Sequence, residues 1–415
     1  MADRTILTLD LGGAELKHVL FTLRSGEIVH EHPNPRGPFH KPDPAKGRCV
    51  LDGLLNDVPQ KGRVARHLAA ETRRILDEWG VAPGRIAGIG ISVAGKVLCS
   101  GQGRRVATFM GAQVPERFAR RDTYGQPYVE VTRDLLKRFP RIPVVIGNDC
   151  NCTGDMQSLV YETLGTDPAT TFFITIGQGF GGGGPNMDVD EVGHIKVFGV
   201  HPAMRLRCGC GDWNCVEAFA SGTGFPKFAR RLLSLCRTRP KMLAEVTRYE
   251  RLGGRLTAAQ DLKAMIRTSP LAGARPLDAV AIFCCAGLGR ADGDPFARYL
   301  VKTAADMTGH VLAGVANVHG LSVFGLGGGV ARNNPRFVRM IEAAANRLVG
   351  KANKLMQGGI TVEPSPLGAF ANDYGPASLV LKKHFRRCVP AWIKTMRGLA
   401  AKGDAPRQGG GRRTT

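Results

Sequence analysis

Three stretches of this chain share one design, and it narrows the fold more than any other feature. Residues 7–13 ("LTLDLGG"), 172–184 ("FFITIGQGFGGGG") and 323–329 ("VFGLGGG") each run an apolar strand-like segment into clustered glycines. Short apolar runs bounded by glycine read as buried strands. Between them lie segments with apolar residues at helical spacing: 62–80, which stops at Gly80, 294–320, which stops at Gly320, and 335–355. Two further apolar runs, 85–95 ("RIAGIGISVAG") and 142–149 ("IPVVIGND"), also end in glycine or polar residues. Strands that alternate with helices predict an α/β fold, with ligand groups at strand ends. The first two runs, 5–13 and 15–31, predict a hairpin whose later strands join at Ser25-Gly26. Residues 33–59, rich in Pro, Gly and charge, are expected to be a loop. At 415 residues the chain exceeds one ordinary core, so two lobes are expected.

Composition excludes several classes. Hydrophobic residues make up 43% of the chain, enough for a sizeable core, and no run approaches the length of a membrane span. The amino-terminal residues lack a secretory pattern, and a cytoplasmic protein is expected. Eleven cysteines, an odd number, argue against a disulfide framework. Cys49, Cys99, Cys236, Cys284, Cys285 and Cys388 read as buried or half-buried small residues. The formal charge is +22, but arginine is spread over the whole chain without interleaved aromatics, so nucleic acid is not an expected partner. Residues 381–415 are expected to form a basic helix and a disordered tail.

The strand ends carry chemistry. Glycine turns bring backbone N–H groups close to phosphate, although sterics alone also place glycine there. Asp10 either faces a magnesium ion beside phosphates or caps its strand end. In "GNDCN", residues 147–151, Asp149 either accepts the proton of an attacking alcohol or belongs to an Asx turn entering a helix; Asn148 and Asn151 suit hydroxyl groups. Neither a phosphate-binding P-loop nor a dinucleotide fingerprint is present.

The densest cluster is "CGCGDWNCVEAF", residues 208–219. Cys208, Cys210 and Cys215, with His194 fourteen residues upstream in "DVDEVGHIKV", supply three sulfurs and one nitrogen. That is a closed tetrahedral zinc set with no coordination position left for water, so the metal would be structural. The alternative is three reduced bystander thiols. Such a knot would tie the segment carrying Glu191 to the one carrying Glu217.

Together these motifs resemble the ROK family of bacterial-type sugar kinases and sugar-responsive repressors, in order along nearly the whole chain. "LDLGG" is similar to its first phosphate loop, "GIGISVAGKV" to its G-[IV]-G-x-P-G-x-V segment, "GNDCN" to its catalytic segment, "TIGQGFGGG" to its second phosphate loop, "DEVGH" to E-x-G-H, and "CGCGDWNCVEAFASG" to its cysteine signature. "GLGGGVA" and "DYGPASL" match its later segments. The resemblance implies a two-lobed actin-like/hexokinase-like (ribonuclease H-like) fold around a cleft. Its implied lobes are 1–147 and 148–380, the latter with a zinc loop at 194–215 and a helical insertion near 226–275. It implies ATP, Mg2+ and structural Zn2+, with Asp149 as general base. Asn148, Glu191, His194 and Glu217 would hold sugar hydroxyls, and His194, Cys208, Cys210 and Cys215 zinc. Asp10 would face magnesium, and Gly12, Gly13, Gly177, Gly179 and Gly328 would approach the nucleotide. A homodimer or homotetramer is implied.

The expectation is therefore an ATP-dependent, glucokinase-like hexose kinase. Ala14, Glu15 and Gln178 depart from the family's loops, where hydroxyl side chains stand at 14 and 178. They keep two alternatives open: a sugar-binding protein or regulator with weak or no phosphotransfer, and an N-acetylhexosamine kinase. Polyphosphate as donor is a further alternative, raised by the charge alone. The first phosphate loop begins at Asp10, so no DNA-binding module is expected ahead of it.

Overall fold

The computed structural model describes residues 4–11, 16–24, 27–32, 64–93, 96–100, 106–110, 120–121, 127–185, 191–350, 358–368 and 371–394. Contacts divide the chain into two units, Met1–Val160 with Pro366–Thr415, and Tyr161–Ser365.

The first unit begins with β1 (Arg4–Leu11), β2 (Leu16–Arg24), β3 (Glu27–His32), α1 (Val64–Glu78) and β4 (Ile86–Val93). A small antiparallel sheet of β5 (Lys96–Ser100), β6 (Val106–Met110), β7 (Arg120–Arg121) and β8 (Pro127–Glu130) follows. Then come α2 (Arg133–Arg138), β9 (Val144–Asn148) and α3 (Asp149–Glu162). The main sheet has the order β3-β2-β1-β4-β9. Its expected hairpins pair antiparallel, and β1, β4 and β9 run parallel. Alternation along β1 separates two cores. Leu7, Leu9 and Leu11 pack with Leu68 and Ile75 of α1 and Leu135 of α2, while Ile6 packs with Met156 of α3 and Val380. Registry then aligns the chemistry: Asp10 sits opposite Ser92, and Asn148 opposite Val93. Asp10 and Asn148 thus leave the same end of one sheet, as parallel strands require of a ligand edge.

The second unit is built on a sheet of order β11-β10-β12-β13, from β10 (Thr171–Ile176), β11 (Phe180–Gly183), β12 (Val323–Gly327) and β13 (Thr361–Pro364). Its helices are α4 (Glu217–Ala220), α5 (Gly224–Thr238), α6 (Pro240–Leu252), α7 (Leu262–Thr268), α8 (Ala279–Ala286), α9 (Pro295–His319), α10 (Gly328–Arg332) and α11 (Pro335–Leu348). The long α9 starts at Asp294, whose side chain accepts from the Ala297 N–H, and stops at Gly320 with φ +65°. The segment 226–275 is mostly helical, as expected. It is joined to α9 through Glu250, whose fully buried carboxylate accepts from Tyr299 Oη at 3.0 Å and pairs with Arg255 Nη1 at 3.1 Å. Burial raises the Glu250 pKa, and Arg255 opposes that shift.

After β13 the chain returns to the first unit as α12 (Ala371–His384), which packs on β1 and β4. The approach is so close that a Cβ at Gly90 would lie 2.2 Å from the Pro376 carbonyl oxygen, so the "GIG" of β4 is a helix seat.

Several expectations need correction. The expected boundaries at 147 and 380 give way to 160 and 365, because α3 and α12 pack on the first sheet. In the expected helix 335–355, α11 ends at Leu348, where Val349 turns extended, and residues 351–355 lie outside the described residues. The third glycine cluster runs from the end of β12 into the first turn of α10. Cys284 is exposed, contrary to its expected burial; all nine described cysteines are free thiols. The expected loop at 33–59 and the tail beyond residue 394 lie outside the described residues, as do Gly12, Gly13, Ala14 and Glu15.

Candidate active site and metal centre

In the first unit, β9 delivers Asn148 and Asp149 to the head of α3. Asn148 is the N-cap: its Oδ1 accepts from the Asn151 N–H at 3.0 Å. The Asx geometry anticipated as the alternative is therefore real, and it holds Asp149 at the first helical position. Asp149 is half-buried, with Oδ1 accepting from the Cys150 N–H at 2.8 Å. A carboxylate there is stabilised by the positive end of the helix. Asp10 is 5% exposed, and its Oδ1 accepts from Ser92 Oγ at 2.6 Å. Ser92 went unnoticed in the sequence; the signal was its place at the end of the strand paired with β1.

In the second unit, β10 ends in the turn of Gly177, Gln178 and Gly179. Gly177 O accepts from the Gly222 N–H at 2.7 Å, and Gln178 O from the Thr223 N–H at 3.1 Å. Gly328, at φ +81°, lies so close that a Cβ there would sit 2.5 Å from the Ile176 carbonyl. Three residues expected near the nucleotide, Gly177, Gly179 and Gly328, are thus in or against one turn. Glu217, at the start of α4, reaches the same turn: its Oε2 accepts from the Phe180 N–H at 3.0 Å.

Glu217 also touches the cysteine cluster, with Oε1 accepting from Cys208 Sγ at 3.1 Å. The ligand atoms of His194, Cys208, Cys210 and Cys215 all lie within 4.8 Å of one another. Cys208 Sγ is 3.7 Å from His194 Nδ1, and Cys210 Sγ is 3.7 Å from Cys215 Sγ. Zn–S bonds of about 2.3 Å in a tetrahedron require S···S edges of roughly 3.8 Å. The donor set therefore fits zinc in type and spacing. Burial holds the Cys208 and Cys215 thiols above their ordinary range, and the Glu217 carboxylate adds to this at Cys208. Metal would have to displace those protons.

The knot is built without regular secondary structure. Val197 N–H donates to Asn214 O at 2.8 Å, and Val216 N–H to Ile195 O at 3.0 Å, which clasps the two arms. Asn214 is the one described non-glycine residue with positive φ, +59°, where the family pattern has glycine. Asparagine tolerates this region best among side-chain-bearing residues, and its Oδ1 accepts from the Leu206 N–H at 3.3 Å. His194 Nε2 lies 3.3 Å from Glu191 Oε2, so the ring offers Nδ1 to the cysteines and Nε2 to the acid. Lys196, which sequence reasoning passed over, sits 3.3 Å from Cys215 Sγ and 2.8 Å from Asp212 Oδ2. A cavity of about 730 Å³ lies beside the knot, lined by Phe198, Arg205 and Trp213 among others; none of the expected sugar residues lines it.

The described expected residues thus fall into two groups, one per unit: Asp10, Asn148 and Asp149 in the first, and Gly177, Gly179, Glu191, His194, Cys208, Cys210, Cys215, Glu217 and Gly328 in the second. A family model for the ROK family matches residues 82–383, about three quarters of the chain. The chain belongs to the ROK family. The ROK hexokinase of Thermus thermophilus is similar in structure, with a TM-score of 0.50 and 24% identity over 91% of this chain and 99% of that one. A ROK family transcriptional regulator homologous to the E. coli MLC protein gives a TM-score of 0.56 at 17% identity, over 95% of this chain and 80% of its own. These likenesses give this ROK protein the actin-like/hexokinase-like α/β fold. In sequence, the N-acetyl-D-glucosamine kinase of Pectobacterium atrosepticum is 31% identical over 119 residues, which is 25% of this chain and 37% of that protein. The chain spans about a third of the length of the curated relatives it matches. No described helix is long and apolar enough to cross a membrane.

Proposed function

We propose that this ROK protein is an ATP-dependent sugar kinase that transfers the γ-phosphoryl group to a hydroxyl of a hexose or N-acetylhexosamine. The observation that carries the reading is Asp149: a half-buried carboxylate held at the head of α3 by the Asn148 cap. A sugar hydroxyl is a weak nucleophile, and Asp149 takes its proton as the O–P bond forms and the bond to ADP breaks. Asn148, Glu191 and Glu217 bind sugar hydroxyls, each of which both donates and accepts, and His194 joins them through Nε2 when a hydroxyl replaces Glu191 Oε2 as its partner. Asp10, oriented by Ser92, faces magnesium, and Gly12, Gly13, Gly177, Gly179 and Gly328 let backbone approach the nucleotide. Bound magnesium supplies neutralisation of the phosphate charge.

His194, Cys208, Cys210 and Cys215 hold a structural zinc. A thiolate at Cys208 no longer donates to Glu217 Oε1, which leaves that oxygen for a sugar hydroxyl while Oε2 keeps the Phe180 N–H.

Glucose is the hexose expected from the motifs, whereas an N-acetylhexosamine is favoured by the 31% identity to an N-acetyl-D-glucosamine kinase. Purified protein incubated with ATP and glucose, mannose, N-acetylglucosamine or N-acetylmannosamine, with sugar phosphate followed directly, separates these. Formation of one sugar phosphate supports the kinase reading and names the substrate. Sugar binding without product from any pair refutes it in favour of a sugar-binding protein, the outcome that the loop residues Ala14, Glu15 and Gln178 would explain.

A further inference from the structure

The proposed zinc has an uneven charge. Three thiolates and a neutral imidazole around Zn2+ leave the centre at about −1. Its Cys215 sulfur is buried with the residue at 0% exposure, on the arm that pairs with Lys196 through an isolated antiparallel bridge. That bridge fixes Lys196 opposite Cys215, and the ammonium lies 3.3 Å from Sγ. Asp212, from the turn between Cys210 and Cys215, meets the same ammonium at 2.8 Å. An exposed lysine–aspartate pair contributes little by itself. A lysine shared between a carboxylate and a buried sulfur has a further consequence: it donates to the thiolate and offsets the charge of the centre.

We propose that Lys196 is a positioning residue of the metal centre, an outer-sphere donor to Cys215 that is held in place by Asp212 and slows loss of the metal. The proposal rests on the zinc reading above. Fixed opposite Cys215 by the bridge and held from its other side by Asp212, the ammonium donates to the sulfur and keeps that arm oriented toward the site. Outer-shell partners of this kind typically change metal affinity by about 10- to 100-fold.

The test is zinc release to an excess of a colorimetric chelator, with zinc content measured beforehand on the native protein. Lys196→Met keeps the aliphatic stem and removes the charge. The expected result is one zinc per chain in both proteins, release roughly 10- to 100-fold faster in Lys196→Met, and partial restoration in Lys196→Arg. Asp212→Asn should accelerate release by a smaller factor. In the cobalt-substituted protein the thiolate-to-metal charge-transfer band should shift in Lys196→Met, a readout that does not depend on kinase turnover. Far-UV circular dichroism checks that the variant folds. Equal release rates and an unchanged cobalt band, with zinc present in both, overturn the role of Lys196 and leave the zinc reading intact. A native protein that carries no zinc overturns both.

Discussion

The two units hold their acids in different ways. In the first, Asp10 and Asp149 stand at the ends of parallel strands whose hydrogen bonds, register and core packing exist without any of the acids. Their side chains accept bonds from Ser92 Oγ and from the Cys150 N–H. In the second, Glu191 and His194 stand on a loop clasped by a few bonds around Asn214 and by the cysteine set, and Glu217 opens the four-residue α4 that follows it. Regular structure distributes positional control over many residues, whereas the knot concentrates it in four proposed metal ligands and one left-handed asparagine. The first group should therefore be chemically sensitive but structurally tolerant, and the second the reverse.

The sharpest test of that contrast is Asp149→Asn. Loss of a general base should lower kcat by about 100- to 10,000-fold while Tm and sugar affinity stay near native values, because the cap belongs to Asn148. Full turnover in this variant would remove Asp149 from its role. Zinc removal, or Cys210→Ser, should act in the opposite sense. A ligand held at 1,000 times its dissociation constant contributes about 4 kcal/mol, so melting of the second unit should fall by roughly 10 °C. Hydrogen exchange should rise across residues 191–217 and stay unchanged in β1 and β4; uniform exposure of both would break the comparison. Glu217→Gln keeps an acceptor for the Phe180 N–H but removes the charge. Sugar KM should rise by roughly 10- to 100-fold, equivalent to about 1.5–3 kcal/mol, with zinc content preserved. The smallest effect belongs to Asn214. Asn214→Ala should cost about 1 kcal/mol because alanine is strained at positive φ, whereas Asn214→Gly should stay within about 1 kcal/mol of native; equal losses in thermal denaturation would mean that the side-chain bond, not the backbone, governs this position.

Much of this was readable from local pattern. Glycine after an apolar run marked β1, β10 and β12, and the caps at Asp294 and Gly320 bounded α9. The cysteine spacing with His194 named a four-ligand set that the fold brings within 4.8 Å. What failed depended on partners distant in sequence. The unit boundary moved because α12 returns to the first sheet, and the glycines of "GIGIS" proved to be its seat. Asn214, which stands within the cysteine cluster without a role of its own in the pattern, is accounted for by one backbone angle.

By itself, then, the amino-acid sequence determined which residues could do chemistry and which segments must be strands or helices, because periodicity, glycine and donor type act locally. Only the tertiary structure decided what those residues touch: Ser92 on Asp10, Phe180 on Glu217, Lys196 on Cys215. Those contacts join residues as far as 82 positions apart, and they follow from strand register and loop clasping, which depend on the packing of the whole unit.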